Sequence, residues 1–200
     1  PLSNQGDFIK NIISSVLSSI VMGAILAIIV LALFLKDVRP TVVVAFSIPF
    51  SVLFALVIMY FTGININVMS LAGLCLGIGM LVDNSVVVME NIYRLRNKGL
   101  SAPRAAVQGT KQVLGPIIAS TITTICVFLP MVYTSGTVSQ MLIPFSFTIS
   151  YSLIASLLVA ITVVPTMGSI MLKKVKNPKH KLFDKIKDAY GKSLEFFLKH

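Results

Sequence analysis

SLAGLCLGIGMLVDNSVVVMENIYR, residues 70–94, decides how the rest of the chain is read. The run is long enough to cross a bilayer and is apolar except at its centre, where Asp83 and Asn84 stand side by side. A carboxylate at that depth costs about 2.5–3.5 kcal/mol in an isolated span. Cheaper residues serve for packing, so an intramembrane carboxylate marks a functional site. The structural alternative is a neutral acid hydrogen-bonded to a neighbouring helix. A proton carrier is itself neutral for part of its cycle, so the two readings are compatible.

Residues seven apart share a helix face. Gly73, Gly77 and Asn84 therefore lie on one stripe, and Gly79, Asp83, Glu90 and Arg94 on the adjacent one. Gly73 and Gly77 form a GxxxG pair that lets another helix approach closely. Glycines one and two turns before the Asp–Asn pair, Gly79 and Gly77, predict that the acidic helix packs at a bundle centre, away from lipid. Glu90 is expected to pair with Arg94 at i+4. Its alternative role is the inner mouth of a proton path.

Outward from this run the chain resolves into spans. Residues 1–10 read as the end of an extracytoplasmic segment. The first span covers about 11–35, with Ser14, Ser15, Ser18 and Ser19 clustered in its first turns. The polar turn LKDVRP (35–40) leads through Pro40 into a second span at about 41–61, where Pro49 predicts a kink or a local break in hydrogen bonding. Asn65 or Asn67 is placed to cap the third span, about 68–92. Gly99 ends that helix, and Ser101 with Pro103 reads as the start of a short surface helix. The fourth span, about 114–133, holds Pro116, Pro130 and a polar line of Ser120, Thr121, Thr123 and Thr124. That line either hydrates a proton path or serves tight helix contacts. The fifth span covers about 141–172, with bends expected at Pro144 and Pro165. In 173–200, apolar residues from Leu182 to Leu198 recur at helical spacing opposite lysines, which predicts a cytoplasmic amphipathic helix lying in the interface plane.

Composition agrees with an all-α, polytopic membrane bundle of five spans. Hydrophobic residues make up 56% of the 200-residue chain and charged residues 12%, far from the balance of a soluble domain. The formal charge of +10 sits beside apolar spans, so the partner it implies is the membrane surface rather than nucleic acid. All 17 Lys and Arg residues except Lys10 fall in the first turn, the third-to-fourth connection or the C-terminal segment. The positive-inside rule then puts the N-terminus outside and the C-terminus in the cytoplasm. The first residues carry no secretory-signal pattern, and the chain reads as a fragment of a longer protein.

Hydrolytic chemistry is not indicated. His180 and His200 both lie in the C-terminal segment, the spans supply one aspartate rather than a pair, and no P-loop is present. Cys75 and Cys126 sit in apolar spans without metal-ligand spacing, and the nine methionines are scattered as packing residues. A single buried carboxylate with a neighbouring amide suits proton exchange between two sides of a membrane. Gaining or losing that charge inside a bundle changes which packing is favoured, so the site reads as an energy-coupling switch. Neither a cofactor nor a metal is expected; the proton gradient supplies the energy.

The run GIGMLVDNSVVVMENIYR (77–94), with LKDVRP before it and FLPMVYTSG (128–136) after it, resembles the resistance–nodulation–division (RND) superfamily. The likeness is strongest to its hydrophobe/amphiphile efflux branch and covers about residues 8–172. The resemblance implies that the five spans are the second through sixth of twelve, and that the C-terminal helix links two halves. It also implies proton-driven export of small amphiphiles from the cytoplasmic membrane, a homotrimer, and extracytoplasmic porter domains outside this chain. A periplasmic adaptor and an outer-membrane channel would be partners in a Gram-negative cell. The low aromatic content and lysine-rich tail suit a Gram-positive relative, which needs neither. Asp83 matches the first carboxylate of the family's proton-relay pair, and Asn84 stands where many members carry a second Asp. The relay's lysine would come from the C-terminal half. Other cargoes on the same architecture stay open: lipid, protein or metal-ion export, sterol sensing, or a non-transporting structural or regulatory subunit.

Overall fold

The computed structural model describes residues 38–174 and, ahead of them, residues 11, 14, 15, 18, 19, 21–23, 25, 26, 28 and 29, all of them helical. Among the described residues the protein is all-helical. Helix α1 spans Val38–Thr62, α2 Val68–Asn97, α3 Ala102–Phe128 and α4 Ser139–Met171. Short 3-10 turns at Leu129–Tyr133 and Leu172–Lys174 follow α3 and α4. Among the described residues, four helices are long and apolar enough to cross a membrane, counting α3 with its 3-10 extension. At 1.5 Å per residue each exceeds the roughly 30 Å of a hydrocarbon core.

The expected first span at 11–35 is helical wherever it is described, and its remainder lies outside the described residues. So do residues 1–10 and the expected interfacial helix after Lys174.

Helix ends follow local chemistry. Of the two candidate caps, Asn67 is used: its side chain accepts from the Ser70 N–H at 2.8 Å, and Ser70 Oγ accepts from the Asn67 N–H at 2.7 Å. This reciprocal capping box satisfies two N–H groups at the helix start. At the other end of α2, Gly99 takes φ +96°, the left-handed conformation that a side chain resists.

The expected surface helix before the fourth span is not separate. Helix α3 runs unbroken from Ala102 through Pro116 to Phe128, and Ser101 makes no side-chain capping bond. Small residues explain the continuity. Ala102, Ala105, Ala106 and Gly109 are buried, and a Cβ on Gly109 would lie 2.9–3.0 Å from Ile92 of α2. The polar opening of α3 is thus held against α2 rather than laid on a membrane surface. Helices α1 and α4 likewise continue past Pro49, Pro144 and Pro165.

Helix α4 packs against each of the other three. One core cluster joins Val43 and Val44 of α1, Val88, Met89 and Ile92 of α2, Ala105 and Ala106 of α3, and Ala160 and Val164 of α4. A second joins Ile48 and Ala55, Leu74, Ile78 and Leu81, and Ala155. The span portion of α3 and its 3-10 extension are peripheral, leaving Ile122, Val127 and Leu129 exposed.

Where α2 and α4 finish, Arg96 ties them together. Its guanidinium donates to the carbonyls of Leu172 at 2.8 Å, Lys173 at 2.9 Å and Leu100 at 2.7 Å. Carbonyls at a helix C-terminus lack intrahelical donors, and a planar five-donor fork suits several of them at once. Arg96→Ala is expected to lower stability by about 1.5–3 kcal/mol, the worth of hydrogen bonds from a charged donor. Arg96→Lys should recover only part, because one ammonium cannot span the three carbonyls. Thermal unfolding in detergent measures both, and an unchanged melting temperature in Arg96→Ala would show the clamp to be idle.

Candidate functional site

Helix α2 has two unlike faces, and the Asp–Asn pair straddles them. Ser70, Gly73, Leu74, Gly77, Ile78, Leu81, Asn84, Ser85, Val88 and Asn91 form the buried stripe. Ala72, Leu76, Gly79, Asp83, Val87, Glu90 and Arg94 form an exposed one. The steps of three and four residues along each stripe are those of a helix face.

The expected burial of the Asp83 carboxylate is therefore not what the described helices show. Asn84 points inward and Asp83 outward. The reason is rotation: adjacent residues differ by about 100°, so only one of the pair follows the glycine stripe inward. Asp83 lies at the midpoint of α2 and makes no hydrogen bond among the described residues.

Asn84 is engaged on both sides. Its Nδ2 donates to Thr121 Oγ1 of α3 and to Ser156 Oγ of α4, each at 3.4 Å. Ser156 Oγ in turn donates to the Leu81 carbonyl of α2 at 2.8 Å. All three side chains are buried. Three helices thus meet at one polar node, one residue from the carboxylate. Ser156 was not singled out from the sequence, because serine is frequent along α4. The usable signal was its place in the series Thr148, Ser152, Ser156, which repeats every four residues.

The GxxxG expectation is met. A Cβ on Gly73 would lie 2.8 Å from the Phe145 carbonyl oxygen, and one on Gly77 would lie 2.7 Å from Ser152 Cβ. Both glycines let α4 approach. Gly79 differs: among the described residues nothing lies within 4 Å of its added Cβ. It opens onto a groove of about 560 Å³ shared with Ala72, Cys75 and Leu76 of α2 and with Ser15 and Ser19 of the preceding segment.

Only one residue of the polar line on α3 reaches the node. Ser120 is exposed and donates to the Ile117 carbonyl, and Thr124 donates to the Ser120 carbonyl. Such back-bonding satisfies a hydroxyl within its own helix. The expected Glu90–Arg94 pair is also replaced. Arg94 donates to Asn91 Oδ1 at 2.6 Å and to Gln112 Oε1 at 3.5 Å, while Asn91 donates to the Gly109 carbonyl at 2.7 Å. Asn91 intercepts the guanidinium because its amide is anchored on α3. Glu90 stays exposed, seven residues beyond Asp83 on the same stripe.

A family model described as the AcrB/AcrD/AcrF family matches residues 1–200. Among curated relatives, the swarming motility protein SwrC of Bacillus subtilis is 37% identical over 180 residues, covering 86% of this chain and 17% of its own length. The multidrug resistance protein MdtC of Escherichia coli K12 is 34% identical over 178 residues, with the same two coverages. MdtC of an Enterobacter strain is 33% identical over 178 residues. The chain spans about 17% of the length of these relatives.

Proposed function

The chain belongs to the AcrB/AcrD/AcrF family of RND transporters, and from that premise we propose that it is the proton-carrying bundle of the N-terminal half of an efflux pump. In this reading five spans, at about 11–35, 41–61, 68–92, 114–133 and 141–172, cross the cytoplasmic membrane. The basic segment 173–200 lies along its inner face as the link to the second half. The chain's N-terminus is extracytoplasmic and its C-terminus cytoplasmic. The pump is a secondary transporter that exchanges protons for small amphiphilic compounds. It works as a homotrimer, with an adaptor and an outer-membrane channel where the cell has an outer membrane.

The observation that carries this reading is Asp83 on the outward stripe of α2, halfway along a membrane-length helix. A carboxylate there is not stable facing acyl chains. It needs a polar surface; SwrC is about five times the length of this chain, and in this reading the corresponding remainder of the transporter supplies that surface. The part of that stripe at Asp83 and Glu90 is thus read as the face on which the C-terminal half packs. Asp83 takes a proton from one side and releases it to the other as the halves shift. Glu90, about 10 Å along the helix axis, lies on the path to the cytoplasmic mouth.

The test is export by the full-length protein in proteoliposomes with an imposed pH gradient. Collapsing the gradient with a protonophore should stop accumulation of an amphiphilic dye, with no nucleotide present. Export that persists without the gradient would rule out proton coupling.

A further inference from the structure

We propose that Asn84 is a positioning residue for Asp83: with Thr121 and Ser156 its amide bolts α2 to α3 and α4 at one rotation, and so fixes the direction in which the carboxyl projects. This rests on Asp83 carrying the proton, as proposed above.

The node's donors and acceptors are complementary. The Asn84 amide has two N–H groups, one directed to Thr121 Oγ1 and one to Ser156 Oγ, both at 3.4 Å. The Ser156 hydroxyl spends its own proton on the Leu81 carbonyl at 2.8 Å, two residues before Asp83. Its oxygen is therefore left needing a donor, which an amide supplies and an ionised carboxylate does not. Apart from Ser85, the buried side chains in the flanking turns of α2 are apolar. Leu81 and Val88, one turn to either side, pack among aliphatic side chains of α1 and α4. Aliphatic contacts resist separation but tolerate small rotations, whereas hydrogen bonds are directional. Turning α2 far enough to bring Asp83 inward breaks both bonds from Asn84 and the bond from Ser156. Asn84 thus acts without touching a proton: it holds its neighbour on the outward stripe.

The node also explains why asparagine works beside the carrier. A second carboxylate here would be buried between two hydroxyls, one of them already committed as a donor. The amide gives the same volume without a charge.

The test uses the full-length transporter in proteoliposomes, with steady-state export of a fluorescent amphiphile under a pH gradient. Asn84→Ala, Thr121→Val and Ser156→Ala are each expected to lower the maximal rate about three- to fifteen-fold, the range a hydrogen bond between membrane helices supplies. That loss is smaller than the one expected for Asp83→Asn. KM should not change, because the bolt acts on the proton carrier and not on the exported compound. Thr121→Val keeps the volume and loses the hydroxyl, while Thr121→Ser does the reverse. Positioning predicts that Ser restores the rate and Val does not; a packing role predicts the opposite. The Asn84→Ala/Ser156→Ala double variant should be no slower than the slower single one, since both break one unit. Ser85→Ala is the control: Ser85 is as buried, but its hydroxyl has no partner among the described residues, and its rate should stay at wild type. Full activity of Thr121→Val, additive losses in the double variant, or a loss confined to KM would overturn the proposal. Failure of the underlying reading is distinguishable, because Asp83→Asn would then export normally whatever the bolt variants do.

Discussion

Asp83→Asn in the full-length pump is expected to reduce resistance to that of cells lacking the transporter, and to abolish proton uptake in proteoliposomes. The substitution is nearly isosteric, but an amide neither gains nor loses a proton in the physiological range. Membrane abundance should not fall. Asp83 is exposed on the described helices and makes no hydrogen bond among their residues, so the substitution breaks none there. Desolvating a neutral amide also costs less than desolvating a carboxylate. Asp83→Glu sharpens the experiment. It keeps a titrating group and moves it by one methylene, so partial export is expected where Asn gives none. Resistance at wild-type level in Asp83→Asn, at normal abundance, would take Asp83 out of the mechanism and the proton-coupled reading with it.

Much of this was legible in the sequence because membranes impose few choices. Spans, caps and the glycine approach rest on length, local hydrogen bonding and side-chain volume, all of which are written residue by residue. Asn67 capping α2 and Gly77 admitting α4 are of this kind. The misplacements share a different cause. Asp83 and Asn84 differ by one step along the chain and by about 100° around the helix, so assigning one to the inside needs the helix's rotation. Rotation is set by neighbours far away in sequence, here Thr121 and Ser156. Arg94 gives the same lesson. Its i−4 partner Glu90 satisfies a local rule, yet Asn91, anchored across the bundle on the Gly109 carbonyl, takes the guanidinium. The continuity of α3 is hidden in the same way, because the small residues of its opening gain their meaning only beside Ile92, which they cover. Serines along α4 were too numerous for any one to stand out until α2 was laid against them.

The seam between α2 and α4 yields a second large effect, and its control lies two residues away. Gly77→Ala is expected to destabilise the bundle by about 1–3 kcal/mol, the usual range for overpacking a filled contact. Gly73→Ala should behave similarly. At Gly77 the added carbon would sit 2.7 Å from Ser152 Cβ, and at Gly73 2.8 Å from a backbone oxygen, where contact between carbons wants about 3.5–4.0 Å. Neither obstacle is the far end of a flexible side chain, so the helices themselves must separate. Separation reaches the polar node, because Ser156 follows Ser152 by one turn and holds the Leu81 carbonyl. Larger side chains at Gly77 should prevent assembly altogether. Gly79→Ala adds the same methyl to the same helix with nothing within 4 Å of it among the described residues. Removing a glycine from a helix interior favours folding by up to about 1 kcal/mol, so this variant should melt at or above the wild-type temperature. Thermal unfolding of the purified transporter in detergent reads all three. The opposite signs at positions 77 and 79 follow from which stripe of α2 each glycine occupies. Equal melting temperatures for Gly77→Ala and Gly79→Ala would mean that α4 does not lie against the glycine stripe, and the inward placement of Asn84 would fall with it.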